Sequence, residues 1–198
     1  INGPLSINLI EMNYTEEIKK TINILNAGGT ILYPTDTIWG LGCDARNEAA
    51  IDKVIALKKR PAAKSFVLLL DNENKIQSYV QEVPEIAWSL IEFADSPMTI
   101  ILPNAKNLAK NAINEDGSIG IRIVKSGFAH QLIQKFKFPI VSTSINLSGE
   151  AAAIERSDID PYFLTAADYV CDLNEIGTGK PSSIIKLGIN GTFEFIRK

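Results

Sequence analysis

Three short segments of the sequence concentrate side chains that bind anions or polar substrates. Residues 33–42 combine threonine hydroxyls with glycines that let the backbone approach a ligand closely. Residues 58–64 contain four cations within seven positions, and Pro61 fixes the loop that carries them, which suits a polyphosphate. Residues 142–149 offer hydroxyl and amide groups, which suit hydroxyls, carboxylates or phosphate oxygens. Each segment taken alone is also typical of an ordinary turn or a solvated helix end, and local spacing by itself favours that interpretation.

Arg122 is a further candidate, because it alternates with two isoleucines in a predicted strand. A basic residue at such a position either faces solvent or binds a carboxylate, and the sequence does not distinguish the two. Residues 177–180 (Gly-Thr-Gly-Lys) resemble part of a phosphate-binding loop. The full pattern fails, because Asn174 stands at its first glycine position and Pro181 stands where a serine or threonine would bind magnesium.

The composition of the chain excludes several classes of protein. With 20 Lys+Arg against 23 Asp+Glu, the net charge of −3 argues against a protein that coats nucleic acid. The two cysteines lie far apart, which argues against a disulfide framework and indicates a reducing compartment, and a single histidine excludes a multi-histidine metal centre. No run approaches the roughly 18 apolar residues of a membrane span, and the N-terminus lacks a secretory pattern. We therefore expect one cytoplasmic domain over residues 1–198, with no membrane association.

Helices and strands alternate along the chain, which predicts an α/β fold with a mixed sheet. Asn47 fits the N-cap of the second helix, and the glycine pair at 28–29 ends the first. The predicted helices are residues 15–27, 47–59, 84–93 and 128–136. The predicted strands are residues 30–33, 65–70, 98–102, 119–123, 139–142, 168–171, 182–187 and 192–196, with a hairpin across Asn190-Gly191 joining the last two. Residues 33–42 are expected to form a loop between strand and helix.

The order of the motifs resembles the YrdC-like family, the L-threonylcarbamoyladenylate synthases. The matching segments are Tyr-Pro-Thr-Asp-Thr-Ile-Trp-Gly-Leu-Gly from Tyr33, Lys58-x-Arg60-Pro61 with Lys64, Gly120-Ile121-Arg122-Ile123, Ser144-x-Asn146-Leu147-Ser148-Gly149, and Pro181-Ser182-Ser183-Ile184-Ile185. Each motif is weak alone, but five in family order, from about residue 15 to the C-terminus, outweigh the local interpretation as turns. The length matches the short, single-domain form of the family.

The resemblance implies an open, twisted mixed sheet with flanking helices and a concave basic groove. It also implies that L-threonine, bicarbonate (or CO2) and ATP react to give threonylcarbamoyl-AMP and pyrophosphate, the first step of tRNA N6-threonylcarbamoyladenosine modification. ATP would enter with Mg2+, bound by phosphates and water rather than by a dedicated protein metal site. The implied partners are downstream threonylcarbamoyl-transferase proteins, with tRNA contacted indirectly or weakly.

The resemblance also assigns roles residue by residue. The family's catalytic tetrad falls on Lys58, Arg60, Ser144 and Asn146. The threonine-binding positions fall on Thr37, Arg122, Ser144 and Ser183, with Arg122 on the carboxylate. The ATP-binding positions fall on Arg60, Lys64, Ser118, Asn146 and Arg197. Ser183 stands where the family has a threonine, and no glycine follows Arg197.

Two alternatives to the synthase remain at this point. A carbamoyl-transfer enzyme of hydrogenase maturation embeds the same domain in a larger protein, and 198 residues leave no space for its partner domains. An RNA-binding YrdC-like module without synthase activity would bind tRNA with a steep salt dependence. The net charge of −3 and the complete tetrad argue against that module.

Overall fold

A computed structural model of the chain describes residues 4–59, 66–147 and 150–198, with side chains from residue 14 onward within those ranges. The helices are α1 Pro4–Asn26, α2 Glu48–Leu57, α3 Ile76–Tyr79, α4 Glu85–Glu92, α5 Gly127–Phe136 and α6 Pro161–Ala166. The strands are β1 Ile31–Tyr33, β2 Gly40–Asp44, β3 Val67–Leu70, β4 Met98–Leu102, β5 Ile119–Ile123, β6 Ile140–Ser144, β7 Tyr169–Val170, β8 Ser183–Leu187 and β9 Phe193–Arg197.

Within the described ranges the strands form one nine-stranded mixed sheet, in the order β7-β1-β2-β6-β3-β5-β4-β8-β9. The pairs β1–β7, β3–β5 and β4–β8 are parallel, and the other neighbouring pairs are antiparallel. The predicted mixed α/β sheet with flanking helices is therefore confirmed. No helix in the described part of the chain combines the length and apolarity that crossing a bilayer requires.

The hydrophobic core lies on both faces of this sheet. Successive residues of β3 show the alternation: Leu68 packs in the cluster beside α2, whereas Leu69 packs in the cluster beneath α1 and α5. The second cluster covers only part of its face, since α1 and α5 contact each other at one side of the sheet. The rest of that face carries polar side chains and is open to a cavity.

Most predicted elements are confirmed with boundary shifts of a few residues, but α1 begins at Pro4 rather than at the predicted residue 15, and the short helices α3 and α6 are not among the predicted elements. Asn47 caps α2 as predicted, because its side chain accepts a hydrogen bond from the Ala50 amide. The hairpin at Asn190-Gly191 joins β8 to β9. Residue 65, the predicted start of β3, lies outside the described residues.

One central strand, β2, was predicted as a loop, and that prediction is wrong. The strand is fully buried and pairs with β1 on one side and β6 on the other. Its two glycines weaken the sequence signal for a strand, since glycine lacks a side chain to pack. The structure explains them, because a Cβ at Gly40 would lie 2.8 Å from Ser142 Oγ.

Candidate active site

A cavity of about 380 Å3 lies on the sheet face that α1 and α5 leave open. Strand register brings its polar lining together, because directly paired residues share a face: Ser144 pairs with Gly40, and Arg122 pairs with Leu69. The lining residues are Thr35, Thr37, Ile38, Trp39, Gly40, Val67, Leu69, Thr99, Arg122, Ser142, Thr143, Ser144, Asn146, Glu150, Ala152, Pro181, Ser182, Ile184 and Arg197.

Arg122 lies at the centre of the sheet with a buried guanidinium. Its Nη1 donates to Thr37 Oγ1 at 2.7 Å, and its Nη2 lies 3.4 Å from Thr35 Oγ1. Nη2 also lies 3.2 Å from Asp36 Oδ1, in an ion pair whose side chains are 7% and 15% exposed. A strand arginine that could have faced solvent is thus buried, because two hydroxyls and a carboxylate replace its water.

The Thr35 and Thr37 hydroxyls form a short chain of hydrogen bonds beside Arg122. Thr35 Oγ1 donates to the Ile38 carbonyl at 2.6 Å and accepts from the Thr37 amide at 3.1 Å. The two hydroxyl oxygens lie 3.0 Å apart. Since the Thr35 proton is used on Ile38, the Thr37 hydroxyl is the donor of that pair. Thr37 Oγ1 therefore keeps one lone pair with which to accept from a substrate amine or hydroxyl.

Lys58 lies behind the cavity wall and binds the segment that follows β6. The residue is 2% exposed, and its ammonium donates to the Ser144 carbonyl at 2.6 Å, to Asn146 Oδ1 at 3.0 Å and to the Asn146 carbonyl. Ser144 Oγ in turn donates to Asn146 Oδ1 at 2.6 Å. The Asn146 amide nitrogen donates to the Glu150 carbonyl at 2.8 Å. These bonds fix both polar side chains that reach the cavity from this segment.

Arg197, on the edge strand β9, reaches the cavity from the opposite side. Its Nε and Nη2 both donate to the Ser182 carbonyl, at 2.9 and 2.7 Å. Ser182 Oγ lies 2.8 Å from Thr99 Oγ1, so a hydroxyl pair lines the wall next to this arginine. Partial burial and the nearby Arg122 charge lower the pKa of Arg197. Two guanidiniums facing one cavity favour an anion between them.

A loop at residues 177–179 fixes the backbone that carries the threonines. The Thr178 amide donates to the Asp36 carbonyl at 3.0 Å, and the Gly179 amide donates to the Thr37 carbonyl at 2.9 Å. Gly177 lies flat against the same backbone, because a Cβ there would be 2.6 Å from Thr35 O and Thr37 N. The segment that only partly matches a phosphate-binding loop therefore packs on the site wall.

The structure places the sequence-predicted site residues in three groups. Those that line the cavity are Thr37, Arg122, Ser144, Asn146 and Arg197. Lys58 lies directly behind them. Ser118 and Ser183 are not part of the lining, and Arg60 and Lys64 lie outside the described residues, as do Ser148 and Gly149. The roles assigned to all of these residues remain predictions, as does the basic character of the groove.

Sequence reasoning missed a further set of polar lining residues. Ser182 faces the cavity together with Ile184, whereas Ser183 pairs with Met98, which borders a separate cavity of about 250 Å3. Side chains alternate between the two faces of a strand, which explains why Ser182 and Ile184 share a face and Ser183 does not. The same alternation can be read from the sequence. Thr99 is a further missed polar position, whereas Thr35 and Ser142 lie in segments that the sequence analysis singled out for their hydroxyl groups without assigning them a role.

Asp36 also escaped sequence reasoning, although it lies within the first motif. Burial raises the pKa of Asp36, and the neighbouring Arg122 opposes that rise. Asp36 borders the second cavity and not the first. The described residues contain no cluster of three or more His, Cys, Asp or Glu side chains arranged to bind a metal ion.

Comparison with known proteins gives consistent matches over most of the chain. The family model Sua5_yciO_yrdC, described as Telomere recombination, matches residues 23–198. The chain is 32% identical over 183 residues to "Threonylcarbamoyl-AMP synthase" of Pseudoalteromonas translucida, covering 91% of this chain and 97% of that protein. It is 33% identical over 173 residues to the protein of the same name from Psychromonas ingrahamii, covering 85% and 91%.

Solved structures share the fold. Escherichia coli YciO matches with a TM-score of 0.77 at 23% identity, covering 91% of this chain and 88% of that one. Sua5 of P. abyssi complexed with L-threonine matches with a TM-score of 0.80 at 24% identity, covering 86% of this chain. The match spans 50% of the P. abyssi protein, so this chain corresponds to about half of its length.

Proposed function

This chain belongs to the Sua5/YciO/YrdC family, and on that premise we propose that it is an L-threonylcarbamoyladenylate synthase. The enzyme is a nucleotidyltransferase that forms threonylcarbamoyl-AMP and pyrophosphate from L-threonine, bicarbonate or CO2, and ATP. The observation that carries the proposal is the buried Arg122–Thr37 pair in a cavity lined by hydroxyl and amide groups. The curated relatives, named threonylcarbamoyl-AMP synthases, support this function over an RNA-binding module without activity.

Threonine fits the Arg122 side of the cavity. A carboxylate is the natural ligand of a guanidinium that lies in a polar cavity. The remaining lone pair of Thr37 Oγ1 is available to accept a hydrogen bond from the threonine amine or hydroxyl. Sua5 of P. abyssi has been solved with L-threonine, which supports a threonine site in this fold. Ser144 contributes a further hydroxyl to this side, Ser182 also lines the cavity there, and Ser183 stays the predicted threonine contact from the resemblance.

ATP fits the other side, between Asn146 and Arg197. We assign the phosphates to Arg60 and Lys64, which follow α2, and expect Arg197 to face the nucleotide across the cavity. Magnesium enters with ATP as part of the substrate. Its remaining ligands are phosphate oxygens and water, which is the usual coordination of this ion. Ser118 is the ATP position that the structure supports least, because its hydroxyl already donates to Asp116 at 2.5 Å.

The reaction requires positioning and charge stabilisation rather than a nucleophilic side chain. The threonine amine forms a bond to the bicarbonate carbon, and water leaves, so that a carbamate is produced. A carbamate oxygen then attacks the α-phosphorus, and the bond to the β-phosphate oxygen breaks with release of pyrophosphate. The Lys58 network fixes Ser144 and Asn146 beside the reacting groups. Arginines neutralise the charge that accumulates on the phosphates.

The product places the enzyme at the start of tRNA threonylcarbamoyladenosine modification. A threonylcarbamoyl group activated as an adenylate must be transferred by another protein, so we expect a threonylcarbamoyl-transferase as its downstream partner and indirect or weak contact with tRNA. We place the reaction in the cytoplasm, where ATP and tRNA are available.

Pyrophosphate release from ATP by the purified protein tests this function. We expect release with threonine and bicarbonate together, and background release when either is left out. Serine serves as the matched control substrate, because it lacks one methyl group, and it should react more slowly. Release that is independent of threonine or bicarbonate would contradict the proposal.

A further inference from the structure

The Asp36 carboxylate makes the most specific contact that the proposed reaction leaves unused. It forms an ion pair with Arg122 at 3.2 Å, although Asp36 does not line the cavity that Arg122 faces. Its Oδ1 is buried and makes no hydrogen bond to the described residues, so the contact is ionic. Asp36 therefore acts on Arg122 by charge from the side away from the substrate cavity.

Burial makes this ion pair important for the position of Arg122. A guanidinium that is 7% exposed has little contact with bulk solvent, so its protein partners largely set its orientation. The Thr37 and Thr35 hydroxyls supply neutral acceptors to Nη1 and Nη2, and Arg122 Nε makes no hydrogen bond to the described residues. In the described part of the chain, Asp36 is the carboxylate that pairs with this cation.

The backbone of Asp36 is fixed from outside the cavity. The Thr178 amide donates to the Asp36 carbonyl, and Gly177 packs against the peptide that follows it. Thr35 and Thr37 point to the cavity, and Asp36 between them points to the second cavity. The three residues therefore present two hydroxyls and one carboxylate to Arg122 from a rigid segment.

We propose that Asp36 is a positioning residue, which orients the Arg122 guanidinium toward the carboxylate of the amino-acid substrate. The inference rests on the proposed function, since it names what Arg122 binds. Asp36 does not touch the substrate.

Asp36→Asn tests the proposal, because asparagine keeps the shape and removes the charge. Steady-state pyrophosphate release should show a KM for threonine raised about tenfold or more, with the KM for ATP changed less than about twofold; this fold-change corresponds to about 1.4 kcal/mol of lost binding. A purely structural role would instead lower stability and change both KM values together. An unchanged KM for threonine would overturn the proposal.

Asp44→Asn is the matched control. Asp44 forms another Arg–Asp pair, with Arg46 at 2.7 Å, and lies at the end of β2 opposite to Gly40. Removal of the Asp44 charge should leave the KM for threonine unchanged, even if the stability of the protein falls. The activity of the parent protein distinguishes a failure of the proposed function from a failure of the positioning role of Asp36. If the parent releases no threonine-dependent pyrophosphate, the proposed function fails; if it does and Asp36→Asn behaves like Asp44→Asn, the positioning role alone fails.

Discussion

Lys58 shows how one buried charge organises the site at the scale of a residue. Its ammonium is almost inaccessible to water and is bound by three oxygens of Ser144 and Asn146. The sequence analysis counted Lys58 among the four cations of residues 58–64 and, by resemblance, in the catalytic tetrad. The structure places Lys58 behind the cavity wall, where it fixes the polar side chains that face the cavity. A cluster of cations in sequence does not reveal which member is buried.

Replacement of Lys58 by methionine should therefore affect both folding and activity. The change removes the ammonium that binds the Ser144 and Asn146 carbonyls, while Ser144 Oγ still donates to Asn146 Oδ1. Buried carbonyl oxygens that lose their donor cost about 1–3 kcal/mol. Urea unfolding should show that loss, and pyrophosphate release should fall by about tenfold or more.

The adjacent Lys59 supplies the control for this prediction. Lys59 is exposed, and its ammonium lies 4.4 Å from the centre of the Tyr162 ring. Lys59→Met should cost less than about 1 kcal/mol, in the range of a surface contact. Equal effects of the two substitutions would contradict the role assigned to Lys58.

At the scale of elements, the position of each side chain depends on strand alternation and on loop packing. The sequence located β8 within one residue, and its predicted threonine contact, Ser183, directly follows Ser182, which lines the cavity. Neighbouring residues of a strand face opposite sides of the sheet, so a shift of one residue decides which side chain faces the cavity. The loop at 177–179 illustrates the second factor, since its packing on residues 35–37 joins segments that are about 140 positions apart and leaves no local pattern.

Gly177→Ala tests the role of that loop. The new methyl group would lie 2.6 Å from backbone atoms of Thr35, Asp36 and Thr37, so the two segments must separate. We expect the KM for threonine to rise at least fivefold, because Thr37 and Arg122 both depend on this backbone. The KM for threonine is measured from the rate of pyrophosphate release at increasing threonine concentrations.

Thr178→Ala is the control for the loop. It keeps the amide that donates to the Asp36 carbonyl and removes a side chain whose hydroxyl donates to Lys180 O. Its KM for threonine should match that of the parent. A Gly177→Ala protein with parental kinetics would show that the loop does not position the site.

At the scale of the whole molecule, the sequence predicted the architecture better than the site. Periodicity and turn residues predicted eight of the nine strands of the described sheet. The sequence-based prediction failed at β2, because its glycines lower the strand propensity of the segment. In the structure these glycines allow the close approach of Tyr33 and Ser142. Motif order indicated the family, and comparison with known proteins confirmed it. Burial of Asp36 and Lys58 depends on contacts between distant segments, which no single motif contains.

The modest net charge of −3 is consistent with this arrangement. The site uses a few cations that the fold brings together, among them Arg122 and Arg197, which approach one cavity from β5 and from the edge strand β9. Arg122 is buried among hydroxyl groups, where the lower effective dielectric strengthens its charge interactions.

The measurement that tests the central claim most directly is the identity of the product made with 13C-labelled bicarbonate. Purified protein, ATP, magnesium and L-threonine should give threonylcarbamoyl-AMP that is heavier by the labelled carbon, detected by mass spectrometry together with pyrophosphate. The Arg122→Gln protein should form little of it, because the substrate carboxylate loses its partner. A product without the label, such as a simple threonyl adenylate or free AMP, would contradict the assignment of this chain as a threonylcarbamoyladenylate synthase.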